Sequence, residues 1–308
     1  MAISGAPPSL QTVSATARFL IVDGHAYAYR AFYAIRQLSS PSGAPTNAIY
    51  GFIKMLAKMR TSHQPTHWAV VWDGGLAAER LASLPEYKAQ RPPMPDDLEQ
   101  QIEQIQSYLE AASIPSICQE GVEADDLIAT VTRQAVADGA CVVIASSDKD
   151  FMQLVSPRVG LLNPNDKSET IWTGEHVSAK TGVNPEQIVD WLSLIGDSVD
   201  NIPGVTGVGP KTAAELINQH GSTAEIYRNL PAVSSARLRT NLMAAQNAVE
   251  RNRNLIRLKD DLPGAEPVDR FEVQPGDYDR LRELYLQWGF RTLLQELEAQ
   301  IPAQPNLF

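Results

Sequence analysis

At 308 residues, with 44% hydrophobic and 20% charged side chains, the chain has the make-up of a soluble globular protein with room for one large domain or two modest ones, which excludes the wholly disordered and fibrous classes. No apolar run approaches the ~20 residues of a membrane span. The net charge of −10 argues at first against a nucleic-acid partner, which normally asks for Lys and Arg. That objection weakens if the acids gather around divalent cations.

Residues 1–17, rich in Ser, Ala, Thr and Pro, read as a flexible tail and not as a secretory signal. Three short apolar runs follow along the chain, and each leads to an aspartate: Phe19 to Val22 before Asp23, Trp68 to Trp72 before Asp73, and Cys141 to Ala145 shortly before Asp148. Such runs, separated by helical patterns over about 46–61, 97–112 and 124–138, predict an open parallel sheet with helices on both faces, a Rossmann-like α/β architecture. Ligands of such sheets bind beyond the carboxyl ends of the strands, where all three aspartates fall. Singly, each has a plainer reading as a helix cap. Cys118 and Cys141 follow no metal-binding spacing and read as buried thiols of a reducing, cytoplasmic compartment.

Between the second strand and the next helix, Gly74-Gly75 and the prolines 92, 93 and 95 bracket a long insertion, of a length usual in functional loops. Lys88 and Arg91 lie in it, three apart, and are expected to project from one side of a helix toward the acids and to stabilise charge developing on a phosphate. A solvated surface pair is the plainer alternative.

Three further acidic groups come next. Glu123-Ala124-Asp125-Asp126 opens a helix with Glu123 and Asp126 on one face, Asp148 and Asp150 open another, and Asp197 and Asp200 stand one turn apart in a segment that reads as helix. The helix dipole favours acids in a first turn, but three in four residues repel one another unless something cationic compensates. Carboxylates without a His or Cys cluster select Mg²⁺ or Mn²⁺, and two such ions can clamp the attacking and leaving oxygens of an in-line phosphoryl displacement. No catalytic His is then required, and His25 is either an ordinary turn residue or a substrate contact.

Beyond about Thr173 the strand pattern stops, and helices are expected at about 185–195, 211–219, 235–254 and 277–288. The stretch Gly204 to Ala213 sets Gly204, Gly207 and Gly209 ahead of Pro210, Lys211 and Thr212. A glycine-rich turn feeding a helix N-terminus is a phosphate cradle, and here it fits a helix–hairpin–helix grip on a DNA backbone better than a P-loop. The basic run Arg237, Arg239, Arg251, Arg253, Arg257 and Lys259 extends that footprint, or else marks a solvated helix face.

These motifs resemble the 5′-nuclease domain at the N-terminus of bacterial DNA polymerase I, a relative of the flap endonucleases. The segments that carry the resemblance are Val22 to His25, Tyr29 to Phe32, Tyr50 to Phe52, Tyr87-Lys88 with Arg91, Glu123 to Asp126, Asp148 to Asp150, Gly196 to Asn201 and Gly204 to Ala213; it spans Arg18 to Leu297. It implies a PIN-like 5′-nuclease domain over 18–177 with a helical arch at about 74–95. A mainly helical, H3TH-type DNA-binding domain over 178–297 and a tail at 298–308 complete the layout.

The resemblance further implies a 5′-3′ exonuclease and flap endonuclease acting on DNA flaps, nicks and RNA primers in replication and repair. One metal is assigned to Asp23, Asp73, Glu123, Asp125 and Asp126, the other to Asp148, Asp150, Asp197 and Asp200. Lys88 and Arg91 become arch residues, and Arg30, Phe32, Tyr33, Arg80 and Tyr87 contact DNA. The 204–213 turn holds duplex, with K⁺ expected there. Where the family has an aromatic-Arg-His run, this chain has Glu79-Arg80-Leu81, which puts the arch base in question.

The end of the chain, with Gln304, Leu307 and Phe308, resembles a sliding-clamp peptide. The chain is expected to be a monomer, off the membrane, and paired in function with a separate polymerase. A non-catalytic DNA-binding protein of the same fold is the alternative; it predicts gaps among the second group of acids, and all four are present.

Overall fold

The computed structural model describes residues 17–300 apart from Lys167 and Ala265. A six-stranded sheet runs in the order β3 (Ser116–Ile117), β2 (His67–Val71), β1 (Arg18–Asp23), β4 (Cys141–Ala145), β5 (Val159–Leu162), β6 (Ile171–Trp172). Every pairing is parallel except that of β5 with β6. Phe19 to Val22 on the central strand are at most 1% exposed, as a strand covered on both faces requires. Alternate residues serve the two faces. Phe19, Ile21, Val71 and Ile144 pack with α5 (Ala124–Ala137), while Leu20, Val22, Val70 and Trp72 pack with α1 (Gly24–Ala34), α2 (Asn47–His63) and α4 (Asp96–Ala111). Because the chain extends the sheet from β1 first toward β2 and later toward β4, the strand order reverses at β1, where Asp23 ends the strand.

The helix that begins directly after Asp23 escaped the sequence pattern. Its buried residues, Gly24, Tyr27, Ala28 and Ala31, keep helical spacing but are mostly small, so the apolar stripe is faint. Gly24 is small for a reason: a Cβ there would sit 2.7 Å from the Trp72 ring.

The second half holds α6 (Gly174–Thr181), α7 (Ile188–Ile195), the hairpin β7 (Gly196–Asp197) with β8 (Ile202–Pro203), α8 (Pro210–His220), α9 (Thr223–Arg228) and α10 (Ala236–Ile256). The last helices, α11 (Tyr278–Trp288) and α12 (Arg291–Glu298), differ from the expectation of one helical domain over 178–297. They return to the α/β part, where Leu284, Tyr285, Trp288 and Leu293 join the core built on Leu20 and Val22.

Three local expectations need correction. In the insertion over 74–95 only α3 (Ala78–Ser83) is α-helical; Lys88 sits in turns with a left-handed φ of 56°, not on a helix with Arg91. Its backbone N–H donates to the Asp200 carbonyl at 3.1 Å, so tertiary pairing overrides local preference. Asp197 and Asp200 stand on the β7–β8 hairpin, because Gly196, with φ +76°, ends α7; any Cβ there would lie 2.4 Å from the Gly204 nitrogen. Cys118 and Cys141 are both exposed: Cys141 is the first residue of β4 and Cys118 follows the two-residue strand β3, and the ends of an apolar run need not be buried.

Gln304, Leu307 and Phe308 lie outside the described residues. Among the described residues no helix is long and apolar enough to cross a membrane.

Candidate active site

Six aspartates line one cavity of about 490 Å³ at the carboxyl end of the sheet: Asp23, Asp73, Asp125, Asp148, and from one hairpin Asp197 and Asp200. Four of them, Asp23, Asp73, Asp148 and Asp197, are held by local backbone N–H groups. Asp23 ends β1 and caps α1, its Oδ1 accepting the Ala26 N–H at 3.0 Å while Oδ2 accepts the Ser146 hydroxyl at 2.7 Å. Asp73 accepts the Gly75 N–H at 2.8 Å, and its own N–H donates to His25 Nδ1 at 3.2 Å. Asp148 accepts the Asp150 N–H at 2.8 Å and so caps the 3-10 turn Lys149–Leu154. Asp197 accepts the Val199 N–H at 2.9 Å. The capping reading and the site reading are therefore both realised at Asp23 and Asp148: one carboxylate oxygen serves the helix, and the geometry that results aims the group at the cavity.

The electrostatics are those of acids held together against their repulsion. Burial, and after it the charges of Asp148 and Asp73, pushes the Asp23 carboxyl up to about 6. Burial and the neighbouring Asp148 raise Asp125 and Asp150 well above the ordinary range, and burial with Asp200 and Asp197 raises Asp148. Asp150, Asp197 and Asp200 each place one carboxylate oxygen within 4.8 Å of the others. Asp150 Oδ1 is buried with no hydrogen-bond donor, an uncommon and costly state for such an oxygen. An all-oxygen set with mutually raised acids and an orphaned buried oxygen fits hard divalent cations.

Three cations pair with acids in or beside the cavity. Lys88 Nζ pairs with Glu123, Arg91 Nη2 lies 2.7 Å from Asp200 Oδ1, and Lys149 Nζ 3.1 Å from Asp197 Oδ1. Burial works to lower the Lys88 ammonium, but Asp125, Glu123 and Asp200 together outweigh it and hold it above its usual value. Lys88 and Arg91 both line the cavity, Lys88 from a turn and Arg91 from the irregular segment after it.

Glu123 and Asp126 do not line the cavity. Glu123 accepts from the Ala77 N–H at 3.3 Å and the Tyr87 hydroxyl at 3.1 Å and is paired with Arg80 at 3.2 Å and with Lys88. Asp126 accepts from Arg80 at 2.7 Å and the Lys259 N–H at 3.0 Å. On a helix, residues three apart share a face, and that face turns toward α3 and the segment after α10, leaving Asp125 alone of the three to the cavity. Arg80 and Tyr87 are buried among these groups. Sequence reasoning missed Ser146, Lys149 and Tyr29. The signal for Lys149 was its place between two acids; Ser146 had none beyond following an apolar run.

On the outer surface, Phe32 is half-buried and Tyr33 is 66% exposed, with Tyr29 stacked on Tyr33 at 6.4 Å. Arg30 is paired with Asn165. In the 204–213 turn, Val205 and Val208 are buried while Gly204, Gly207, Gly209 and Lys211 are exposed and Thr212 is half-buried. Pro210 opens α8, and Asn241 holds the Thr206 carbonyl at 2.8 Å. The basic run is not one continuous exposed face. Arg253 is paired with Asp190 at 2.8 Å, Lys259 with Glu79, and Arg239 bonds the carbonyls of Val233 and Ser234, whereas Arg237 and Arg257 are exposed.

A family model described as the 5′-3′ exonuclease N-terminal resolvase-like domain matches residues 18–182, and a second, the 5′-3′ exonuclease C-terminal SAM fold, matches residues 183–279. A 5′-3′ exonuclease of Aquifex aeolicus is 37% identical over 278 residues, covering 90% of this chain and 94% of the relative. DNA polymerase I of Bacillus subtilis is 36% identical over 282 residues, 91% of this chain but 32% of the polymerase, so the chain spans about a third of that relative. Among solved structures, the flap endonuclease of bacteriophage T5 in a pseudo-enzyme–product complex with DNA and metal ions has the same fold, with a TM-score of 0.65 at 22% identity over 92% of this chain and all of the other.

Proposed function

The chain belongs to the 5′-3′ exonuclease family, and from that premise we propose that it is a divalent-metal-dependent 5′-3′ exonuclease and 5′-flap endonuclease that hydrolyses phosphodiester bonds of DNA and of RNA primers. The observation that carries this reading is the gathering of six aspartates, with Lys88 and Arg91 opposite them, in one cavity at the reversal point of the sheet. Asp23, Asp73 and Asp125 are assigned to one ion and Asp148, Asp150, Asp197 and Asp200 to the other. Glu123 and Asp126 are left out, since both Glu123 oxygens and Asp126 Oδ1 already accept from donors of the protein. Bound Mg²⁺ or Mn²⁺ would supply Lewis acidity toward the scissile phosphate.

The protein's own groups do the rest. Lys88 and Arg91, now paired with Glu123 and Asp200, offer positive charge to the phosphate as it gains negative charge. His25 accepts the Asp73 N–H through Nδ1, so in the neutral ring Nε2 carries the proton and is a donor. Its ring is held neutral at physiological pH, burial lowering its proton affinity more than Asp73 raises it.

Phe32 and Tyr33 provide stacking surface for bases of the single strand, with Arg30 beside them. The exposed residues Gly204, Gly207, Gly209 and Lys211, with Thr212, grip the backbone of downstream duplex, with K⁺ bound at the same turn. Gln304, Leu307 and Phe308 are assigned to a sliding clamp, and the chain is expected to act as a monomer in the cytoplasm, in concert with DNA polymerase activity.

The test is cleavage of a 5′-flap duplex by wild type and Asp125→Ala, with Mg²⁺ or EDTA. Cleavage is expected only from wild type with metal. Activity surviving EDTA, or undiminished in Asp125→Ala, overturns the mechanism. Deleting residues 304–308 should abolish clamp binding and leave oligonucleotide cleavage intact; unchanged clamp affinity would sink that assignment.

A further inference from the structure

Arg80 stands on α3, 4% exposed, and does not line the acidic cavity. Its guanidinium meets four acceptors. Nη1 lies 3.2 Å from Glu123 Oε1, Nη2 donates to Asp126 Oδ1 at 2.7 Å and to the Arg257 carbonyl at 3.4 Å, and Nε donates to the Leu255 carbonyl at 3.1 Å. The two carbonyls belong to the end of α10, where a helix leaves acceptors unpaired and its dipole favours a cation. Of the two acids, Glu123 is the N-cap of α5 and Asp126 lies in its first turn, on either side of Asp125. The Lys259 N–H, just beyond α10, closes the set on Asp126 at 3.0 Å. One planar fork therefore joins the insertion, the start of α5 and the end of α10. An ammonium on a single stem has no such reach.

We infer that Arg80 is a positioning residue: it holds Glu123 and Asp126 so that Asp125 between them faces the cavity, and it docks the end of α10 against that same turn, without touching DNA. This rests on reading the cavity as a metal centre. A buried guanidinium shared by two acids and two carbonyls has no face left for a phosphate. Its loss is felt at Asp125, because the start of α5 then carries two buried carboxylates short of a partner.

The test compares full-length wild type, Arg80→Met, Arg80→Lys and Asp126→Asn. Mn²⁺ binding is measured by electron paramagnetic resonance without DNA, flap cleavage is resolved into kcat and KM, and flap-duplex affinity is measured against salt in EDTA, where no cleavage intrudes. Arg80→Met is expected to raise the Mn²⁺ dissociation constant by about 10- to 100-fold, the range typical of groups that orient a metal's ligands. The expected kinetic change is in kcat more than KM, with the salt slope as in wild type. Arg80→Lys should recover part of the Mn²⁺ affinity.

Unchanged Mn²⁺ affinity in Arg80→Met overturns the inference, and a salt slope shallower by about 0.9 would mark Arg80 as a phosphate contact instead. If Arg80→Met does not fold, Asp126→Asn decides: weakened Mn²⁺ binding supports the clamp and wild-type binding refutes it. A wild type that binds Mn²⁺ but cleaves no flap would remove the nuclease reading and leave this comparison standing. A wild type that binds no Mn²⁺ removes both.

Discussion

Stripped of metal, the protein should become less stable as pH rises from about 5 to about 7.5. Burial holds the Asp23 carboxyl at about 6, against an ordinary value of 3.8. Between those values the native state binds more protons than the unfolded chain. The stability tied to this group is thus full below pH 3.8 and lost as pH rises through about 6. Roughly one pH unit of that span lies above pH 5, and at about 1.36 kcal/mol per unit Asp23 alone contributes a loss of about 1.4 kcal/mol. In a chain of 308 residues that is roughly 2 °C in Tm.

Asp125, Asp148 and Asp150 are raised by burial and mutual repulsion and add in the same direction. Glu123 is lowered, since Lys88 and Arg80 together outweigh its burial, and its contribution is already complete above its ordinary value of 4.5. It does not offset the trend; His25, lowered from its ordinary value of 6.5, opposes it up to that pH, one group against four raised carboxyls. The assay is thermal unfolding by circular dichroism in EDTA across that range, repeated with excess Mg²⁺ or Mn²⁺. The downward trend in EDTA should flatten or reverse with metal, because ions bind the deprotonated carboxylates. A Tm in EDTA that stays level or climbs with pH would refute the idea that these acids are buried against one another.

Asp150→Asn should raise the EDTA Tm near pH 7.5, by the equivalent of about 1–3 kcal/mol, while weakening Mn²⁺ binding; a lower Tm would mean that the buried Oδ1 already has a partner. Lys88→Met should lower kcat for flap cleavage by about 10²- to 10³-fold with KM nearly unchanged, and a pure KM effect would assign Lys88 to ground-state binding. Gly204→Ala places a Cβ 2.2 Å from the Ile195 carbonyl oxygen, so a loss of about 1–3 kcal/mol in chemical denaturation is expected. Cys118 and Cys141 should both react with a thiol reagent in the folded protein; labelling that waits on denaturant contradicts their exposure.

Much of this protein was legible along its sequence wherever chemistry repeats at short range. The runs before Asp23, Asp73 and Asp148 declared buried parallel strands because a strand covered on both faces must be apolar throughout. Gly207, with φ +80°, and Pro210, at the first position of α8, declared the turn ahead of that helix because few other residues suit those two places. The two-residue strands β3 and β6 are too short for any period, and the stripe of α1 is too small-sided to register.

Nine acids were identified as one constellation from their positions at strand ends and helix starts. Which of them face the cavity was left to the tertiary structure. Only the packing of α3 and the end of α10 against α5 sends Glu123 and Asp126 to Arg80, and leaves Asp125 with the other five. The same packing moves Arg80 from a surface contact to a buried clamp. The physical reason is that a carboxylate's role depends on which cation lies nearest. At Arg80 and Asp126 that cation is 46 positions away in the chain and 2.7 Å away in space.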